Sequence, residues 1–184
     1  LDGEPESLGS PSDWQVERKW DGIRGQLIVR DDNLFVWSRG EELVTDKFPE
    51  YLPLAHLLPN GTVIDGEILP FRNGLPLTFN VLQTRIGRKN VTNKILESAP
   101  VILMAYDLLE YEGRDLRQTP LRERRKLLEK ILAENPTNDI IILSEIVEVK
   151  KWEQASDARA DSRAHFSEGL MIKKLDSDYK IGRK

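Results

Sequence analysis

The chain has 184 residues, enough for one domain with a real core or for two small lobes sharing one. Its make-up, 39% hydrophobic and 32% charged with both signs mixed, is that of a globular protein, and a net charge of -4 does not announce a nucleic-acid binder, although overall acidity can hide a local basic face. The absence of cysteine excludes disulfides and cysteine metal sites and fits a reducing compartment, so a cytoplasmic location is expected. No stretch approaches the roughly 18 consecutive apolar residues of a membrane span, and no secretory signal is visible.

Residues 1–13, rich in Gly, Pro and Ser, read as a flexible arm or linker, with order beginning near Trp14. From Trp14 to Asp21 apolar and polar residues alternate, which predicts a strand carrying Glu17, Lys19 and Asp21 on one face; Arg18 breaks the pattern. A strand at Gln26–Arg30, a turn at Asp31-Asp32-Asn33 and a strand at Leu34–Arg39 make a hairpin. Phe48–Leu58 is expected to be a short helix with Pro49 in its first turn. Thr62–Leu69 follows the Asn60-Gly61 turn as a strand, and Phe79–Ile86 has helical spacing closed by Gly87. Val101–Leu109 is a near-continuous apolar run, the mark of a buried central strand. A helix opens at Thr119-Pro120 with Leu121, Leu128, Ile131 and Leu132 inward. Ile140–Val149 is predicted as strand, Trp152–His165 as helix and Gly169–Lys174 as the last strand. Hairpins, not regular strand–helix alternation, dominate, so the expected fold class is α+β with mainly antiparallel sheets flanked by helices.

The segment Glu17-Arg18-Lys19-Trp20-Asp21-Gly22-Ile23-Arg24 carries the most chemistry. A lysine beside a bulky aromatic and ending in glycine sits at a turn with restricted solvent, where it can serve as a nucleophile. An unperturbed lysine, with a pKa of about 10.4, is neutral in only about one molecule in 800 near pH 7.5, so cationic neighbours and desolvation must raise the reactive fraction. The plain alternative is a strand-end surface lysine paired with Glu17 or Asp21. Further along stand Ser38-Arg39-Gly40, Asp65-Gly66-Glu67 with two carboxylates on one strand face, and Tyr106-Asp107 in a buried strand. Glu168-Gly169-Leu170-Met171-Ile172-Lys173 places an acid and a lysine at either end of an apolar strand, and Tyr179–Lys184 closes with basic residues around Gly182. Arg85, Arg88, Lys89 and Lys94 form a basic cluster, which suits either DNA phosphate or a surface loop. His56 and His165 have no ligand spacing.

This ordered series resembles the covalent nucleotidyltransferase superfamily of ATP-dependent DNA ligases, RNA ligases and mRNA capping enzymes. It is most similar to the DNA ligases, with motifs like Lys-x-Asp-Gly-x-Arg, Ser-Arg-x-Gly, Asp-Gly-Glu, an aromatic before Asp, and Glu-Gly-Leu-Met-x-Lys. Trp20, the run Trp37–Leu43 and Gln83–Lys89 look most like bacterial members, and the resemblance spans residues 14–184. It implies an ATP-grasp-like nucleotidyltransferase fold, two sheets around a nucleotide cleft.

The resemblance also implies a role for each matching position. Lys19 would attack the α-phosphorus of ATP to form lysyl-AMP. Glu17 would hold the adenine edge and Tyr106 would stack on the base. Arg24 and Arg39 would contact ribose, phosphate or the nicked DNA end, and Arg183 would belong to the nucleotide-binding set. Lys173 would offset charge on the α-phosphate, and Glu67 and Glu168 would position Mg²⁺. AMP would then pass to the 5′-phosphate of nicked duplex DNA for sealing. Two alternatives stay open: an RNA ligase or GTP-using capping enzyme, and a nucleotide- or nick-binding piece that does not turn over alone. The family pattern continues past a segment like Tyr179–Lys184 into a lysine-bearing stretch and an OB-fold domain, and such ligases usually carry an N-terminal DNA-binding domain. Sealing is therefore expected to need more than residues 14–184.

Overall fold

Two sheets of unequal size share the chain, in a computed structural model that describes residues 5–137 and 139–180. In order come β1 (Trp14–Trp20), β2 (Ile23–Arg30), β3 (Asn33–Ser38), β4 (Thr62–Arg72), β5 (Leu75–Pro76), α1 (Phe79–Ile86) and α2 (Asn93–Ser98). They are followed by β6 (Val101–Tyr111), β7 (Arg114–Asp115), α3 (Leu121–Glu134), β8 (Ile141–Leu143), α4 (Trp152–Ala160) and β9 (Ser167–Lys174). The larger sheet runs β3-β2-β4-β6-β7, with β5 beside β4 and β8 beside β6. All its pairings are antiparallel except β6 with β8. The smaller sheet is an antiparallel ribbon of β1 and β9. The expected mixed fold with mainly antiparallel sheets is what the chain adopts.

β4 and β6 are buried almost end to end, which is why they read as apolar runs rather than as alternation. Leu27, Val36, Ile64, Leu103 and Leu108 of the sheet meet Tyr51 and Leu54, Leu82 of α1, and Leu128 and Ile131 of α3 in one core. Residues 5–13 run as two short 3-10 turns held to this body. Trp14 Nε1 donates to Leu8 O at 3.1 Å, and Trp152 Nε1 donates to Gly9 O at 2.7 Å.

Three elements depart from expectation. Pro49–His56 is a 3-10 helix, because Pro53 lies inside it and has no N–H for an α-helical ladder. Only Ile141–Leu143 of the expected 140–149 strand pairs with β6; the chain then crosses to the ribbon, where Ile146 bridges Glu17 and Val147 N donates to Val16 O at 2.8 Å. The expected 152–165 helix breaks at Asp161 into a 3-10 turn ending at Phe166, whose φ of 55° reverses the chain into β9.

β1 leaves the ribbon through Asp21 and Gly22 and re-enters the protein as β2 of the large sheet. The two sheets face each other across this bend. A Cβ on Gly22 would lie 2.4 Å from the Ile68 carbonyl oxygen, so only glycine lets the backbone pass this close to β4. Gly66 is under the same constraint, with 2.7 Å to the Met104 carbonyl oxygen.

Candidate active site

Between the sheets lies a cleft of about 790 Å³. The strand registers fix what lines it. On the ribbon, Glu17 lies opposite Met171 and Lys19 opposite Gly169, so Glu17, Lys19 and Lys173 share one face. On the large sheet, Arg24 lies opposite Glu67 and Gln26 opposite Asp65. A register shift between Asp65 and Gly66 in the pairing with β6 turns Tyr106 toward the same space.

Glu17 is buried, with a side chain only 2% exposed, and three donors hold its carboxylate. Gln15 Nε2 and Arg125 Nη1 reach Oε1 at 2.9 and 3.1 Å, and Lys173 Nζ pairs with Oε2. Arg125 is itself fixed by Ser144 O at 2.7 Å and Glu129 at 2.7 Å. The Lys173 ammonium also stands 4.4 Å over the Tyr106 ring. Burial pushes the Tyr106 phenol well above its ordinary value, so the ring presents a neutral face.

Arg24 grips Asp65 with two donors, Nε to Oδ1 at 3.0 Å and Nη2 to Oδ2 at 2.5 Å. Tyr179 completes the group: its hydroxyl accepts from Arg24 Nη2 and from Gln26 Nε2 and donates to Asp65 Oδ2 at 2.9 Å. Asp65 is fully buried and survives there because it is doubly paired. The segment carrying Tyr179 is tied to the start of α3 and to the loop before it: Leu121 N donates to Ser177 O and Tyr179 N to Arg117 O. Arg124, paired with Asp107 at 2.8 and 3.0 Å, also donates to Ser177 O.

At the mouth, Lys19 Nζ pairs with Glu168, and both side chains are about half exposed (51% and 46%). The Glu67 carboxylate makes no hydrogen bond or ion pair among the described residues. Burial, then the nearby Asp65 charge, push its carboxyl up to about 7; Glu168 adds to the rise, while Arg24 and Lys19 oppose it. Asp21 is also raised, by burial first and by Glu168 next. Arg39 is exposed on the rim without a partner among the described residues, between this cleft and a neighbouring cavity of about 420 Å³. Among the described residues no group of three or more His, Cys, Asp and Glu gathers as a metal cage. A two-carboxylate arrangement is nonetheless one that Mg²⁺ accepts, since it usually keeps waters and shares its shell with phosphate oxygens.

Glu17, Lys19, Arg24, Arg39, Glu67, Tyr106, Glu168 and Lys173 all line this one cleft. Arg183 lies outside the described residues. Sequence reasoning placed Asp65 beside Glu67 on one strand face but gave it no role, and saw Tyr179 only as part of a basic closing segment. The signal for Asp65 was its i, i+2 spacing from Glu67; nothing local marks Tyr179 or Arg125. The basic cluster loses Arg85, which is fully buried and held by Glu50, Lys47 O and Ala99 O.

The family described as "ATP dependent DNA ligase domain" matches residues 7–184. The chain belongs to this family. It is 34% identical to a probable DNA ligase of Koribacter versatilis over 92% of its length, and spans 33% of that relative. The crystal structure of the ligase domain from M. tuberculosis LigD superposes with a TM-score of 0.76 at 31% identity, covering 100% of this chain and 56% of that one. A mycobacterial DNA ligase D complexed with ATP and MES gives 0.74 at 32% identity, covering 95% of this chain and 52% of that one. An ATP-dependent ligase domain, rather than an RNA ligase or capping enzyme, is thus the reading these relatives support.

Proposed function

We propose that this ligase domain takes AMP from ATP onto Lys19 and hands it to the 5′-phosphate of nicked duplex DNA. The observation that carries the proposal is the position of Lys19. It stands at the mouth of a cleft whose two walls bring carboxylates and cations together from both sheets. In the first step Lys19 Nζ attacks the α-phosphorus, the bond to the pyrophosphate oxygen breaks, and pyrophosphate leaves with the electron pair. Nζ sheds a proton, for which the carboxylate of Glu168 is the neighbouring acceptor. Arg24, prepared by Asp65, and Arg39 on the rim offer forked donors to ribose or phosphate oxygens. Tyr106 offers a ring face to the base, Glu17 an acceptor to its edge, and Lys173 a cation to the α-phosphate. Mg²⁺, when bound, would offset charge on the phosphates, with Glu67 and Glu168 holding it. Arg183 is assigned to the nucleotide-binding set on the motif alone.

Incubation with ATP and Mg²⁺ followed by intact mass measurement tests the first step. A gain of one AMP on a peptide containing Lys19 is expected. GTP labelling in place of ATP would point instead to capping chemistry, and no gain with either would reduce the domain to a binder. Sealing needs a separate assay on nicked DNA at about 0.15 M salt, because phosphate contacts set the salt-sensitive affinity. Within the domain assignment made from the sequence, residues 14–184 form the nucleotidyltransferase unit, and the DNA-binding and OB-fold domains are the partners expected to complete sealing.

A further inference from the structure

Lys173 touches the two side chains assigned to the base: it pairs with Glu17 and stands 4.4 Å over the Tyr106 ring. An ammonium there takes the same face that a purine would need for stacking, and the same carboxylate oxygen that a purine amine would need as acceptor. Only one of them can be present. The two cations on Glu17 differ in kind. Arg125 is 5% exposed and bound also to Ser144 O and Glu129, whereas Lys173 is 20% exposed and, among the described residues, is held only by Glu17 and the ring face. If Lys173 leaves, Glu17 keeps Arg125 and Gln15 on Oε1, so the buried carboxylate is not stranded. Oε2 is then open to an N–H donor.

We propose that Lys173 is a specificity residue that fills the base subsite until a phosphate draws it away. This rests on the nucleotide reading above. A nucleoside must expel the ammonium and gives it no new partner, so the lost contacts with Glu17 and Tyr106 count against binding. A nucleotide expels the same ammonium and supplies phosphate oxygens to receive it, so the exchange offsets itself. The arrangement thereby favours ATP over adenosine through a competition at the base, in addition to any direct contact with phosphate. Discrimination of this kind comes from an internal competitor rather than from a clash.

The experiment compares adenosine binding to the 184-residue chain and to Lys173→Ala by calorimetry, with ATP-dependent mass gain of the unsubstituted chain as a control. Adenosine should bind the variant about three- to tenfold more tightly, the scale of one cation–π contact, while AMP attachment from ATP slows. Equal or weaker adenosine binding by the variant, in a chain that gains AMP from ATP, overturns the competition and leaves the nucleotide reading standing. A chain that takes up neither compound overturns both. A second readout does not depend on the variant folding. The ε-methylene protons of Lys173, held over an aromatic ring, should show a ring-current upfield shift that disappears on adding ATP. Their resonating at the ordinary lysine position in the free chain would equally overturn the proposal.

Discussion

The phenol of Tyr179 stands between Arg24 and Asp65, accepting from the guanidinium and donating to the carboxylate at 2.9 Å. One hydroxyl thus links the segment after β9 to the large sheet and fixes the plane of Arg24 in the cleft wall. Tyr179→Phe keeps the ring and removes that link. AMP attachment should slow about three- to tenfold, with stability lowered by about 1 kcal/mol. Adding Tyr179→Phe to an Arg24→Ala background should cost little more, since the hydroxyl acts through Arg24. Fully additive losses in that double variant would show that Tyr179 works independently.

Lys19→Ala should abolish AMP attachment and leave the unfolding temperature nearly unchanged. Its side chain is half exposed, and an ion pair as open as this one contributes little to stability. Intact mass after ATP treatment, beside a thermal melt, decides it. AMP found on another residue would remove Lys19 from the chemistry.

Glu67 gives the apo domain a pH signature. Its carboxyl, ordinarily near 4.5, is pushed up to about 7 by burial and Asp65. The folded chain therefore holds this proton to higher pH than the unfolded chain does, so ionisation favours unfolding. The cost begins near pH 4.5, grows until about pH 7, and is constant above. Glu67→Gln escapes it. In Mg²⁺-free buffer the variant should gain about 2 kcal/mol over the parent between pH 5 and pH 8. A stability difference that stays flat across that range would mean Glu67 is not held in its neutral form.

Arg85 is a strut, not a DNA contact. Its guanidinium is fully buried, stands 5.1 Å over the Phe48 ring, and holds Glu50 and the Lys47 and Ala99 carbonyls. Arg85→Met should lower stability by about 3 kcal/mol by leaving those acceptors unpaired. AMP attachment measured well below the melting temperature should be near normal, because Arg85 does not line the cleft. Denaturant titration reads the first quantity and mass gain the second.

The strands that build the cleft were legible because their alternation or apolar continuity is local. The motif residues were legible because their order along the chain resembles a family. The departures share a cause in partners distant in sequence. Arg125 looks like one more charge on a solvated helix face, and only the fold brings Glu17 to it across 108 positions. Tyr179 meets Asp65 from 114 positions away. The strand expected at 140–149 shortened because its second half leaves β8's place beside β6 and crosses to β1. The 3-10 turn at Pro49–His56 was the exception, since Pro53 was visible in the sequence and its missing N–H was enough to foresee it.

The pairing of β1 with β9 sets an order of events during synthesis. Within this domain the strand bearing Lys19 leaves the ribosome well before its hydrogen-bonded neighbour, which ends at Lys174, and before Ile146, its further bridge partner among the described residues. Until those arrive, β1 is a strand with both edges open while the large sheet can already assemble behind it. Such a waiting strand is a template for wrong pairing with another chain. The charges of Glu17, Arg18 and Lys19, interposed between Val16 and Trp20, are what a nascent edge needs to stay unpaired. The same charges line the finished cleft, so Lys19, the proposed nucleophile, guards its own strand before it has any substrate to meet.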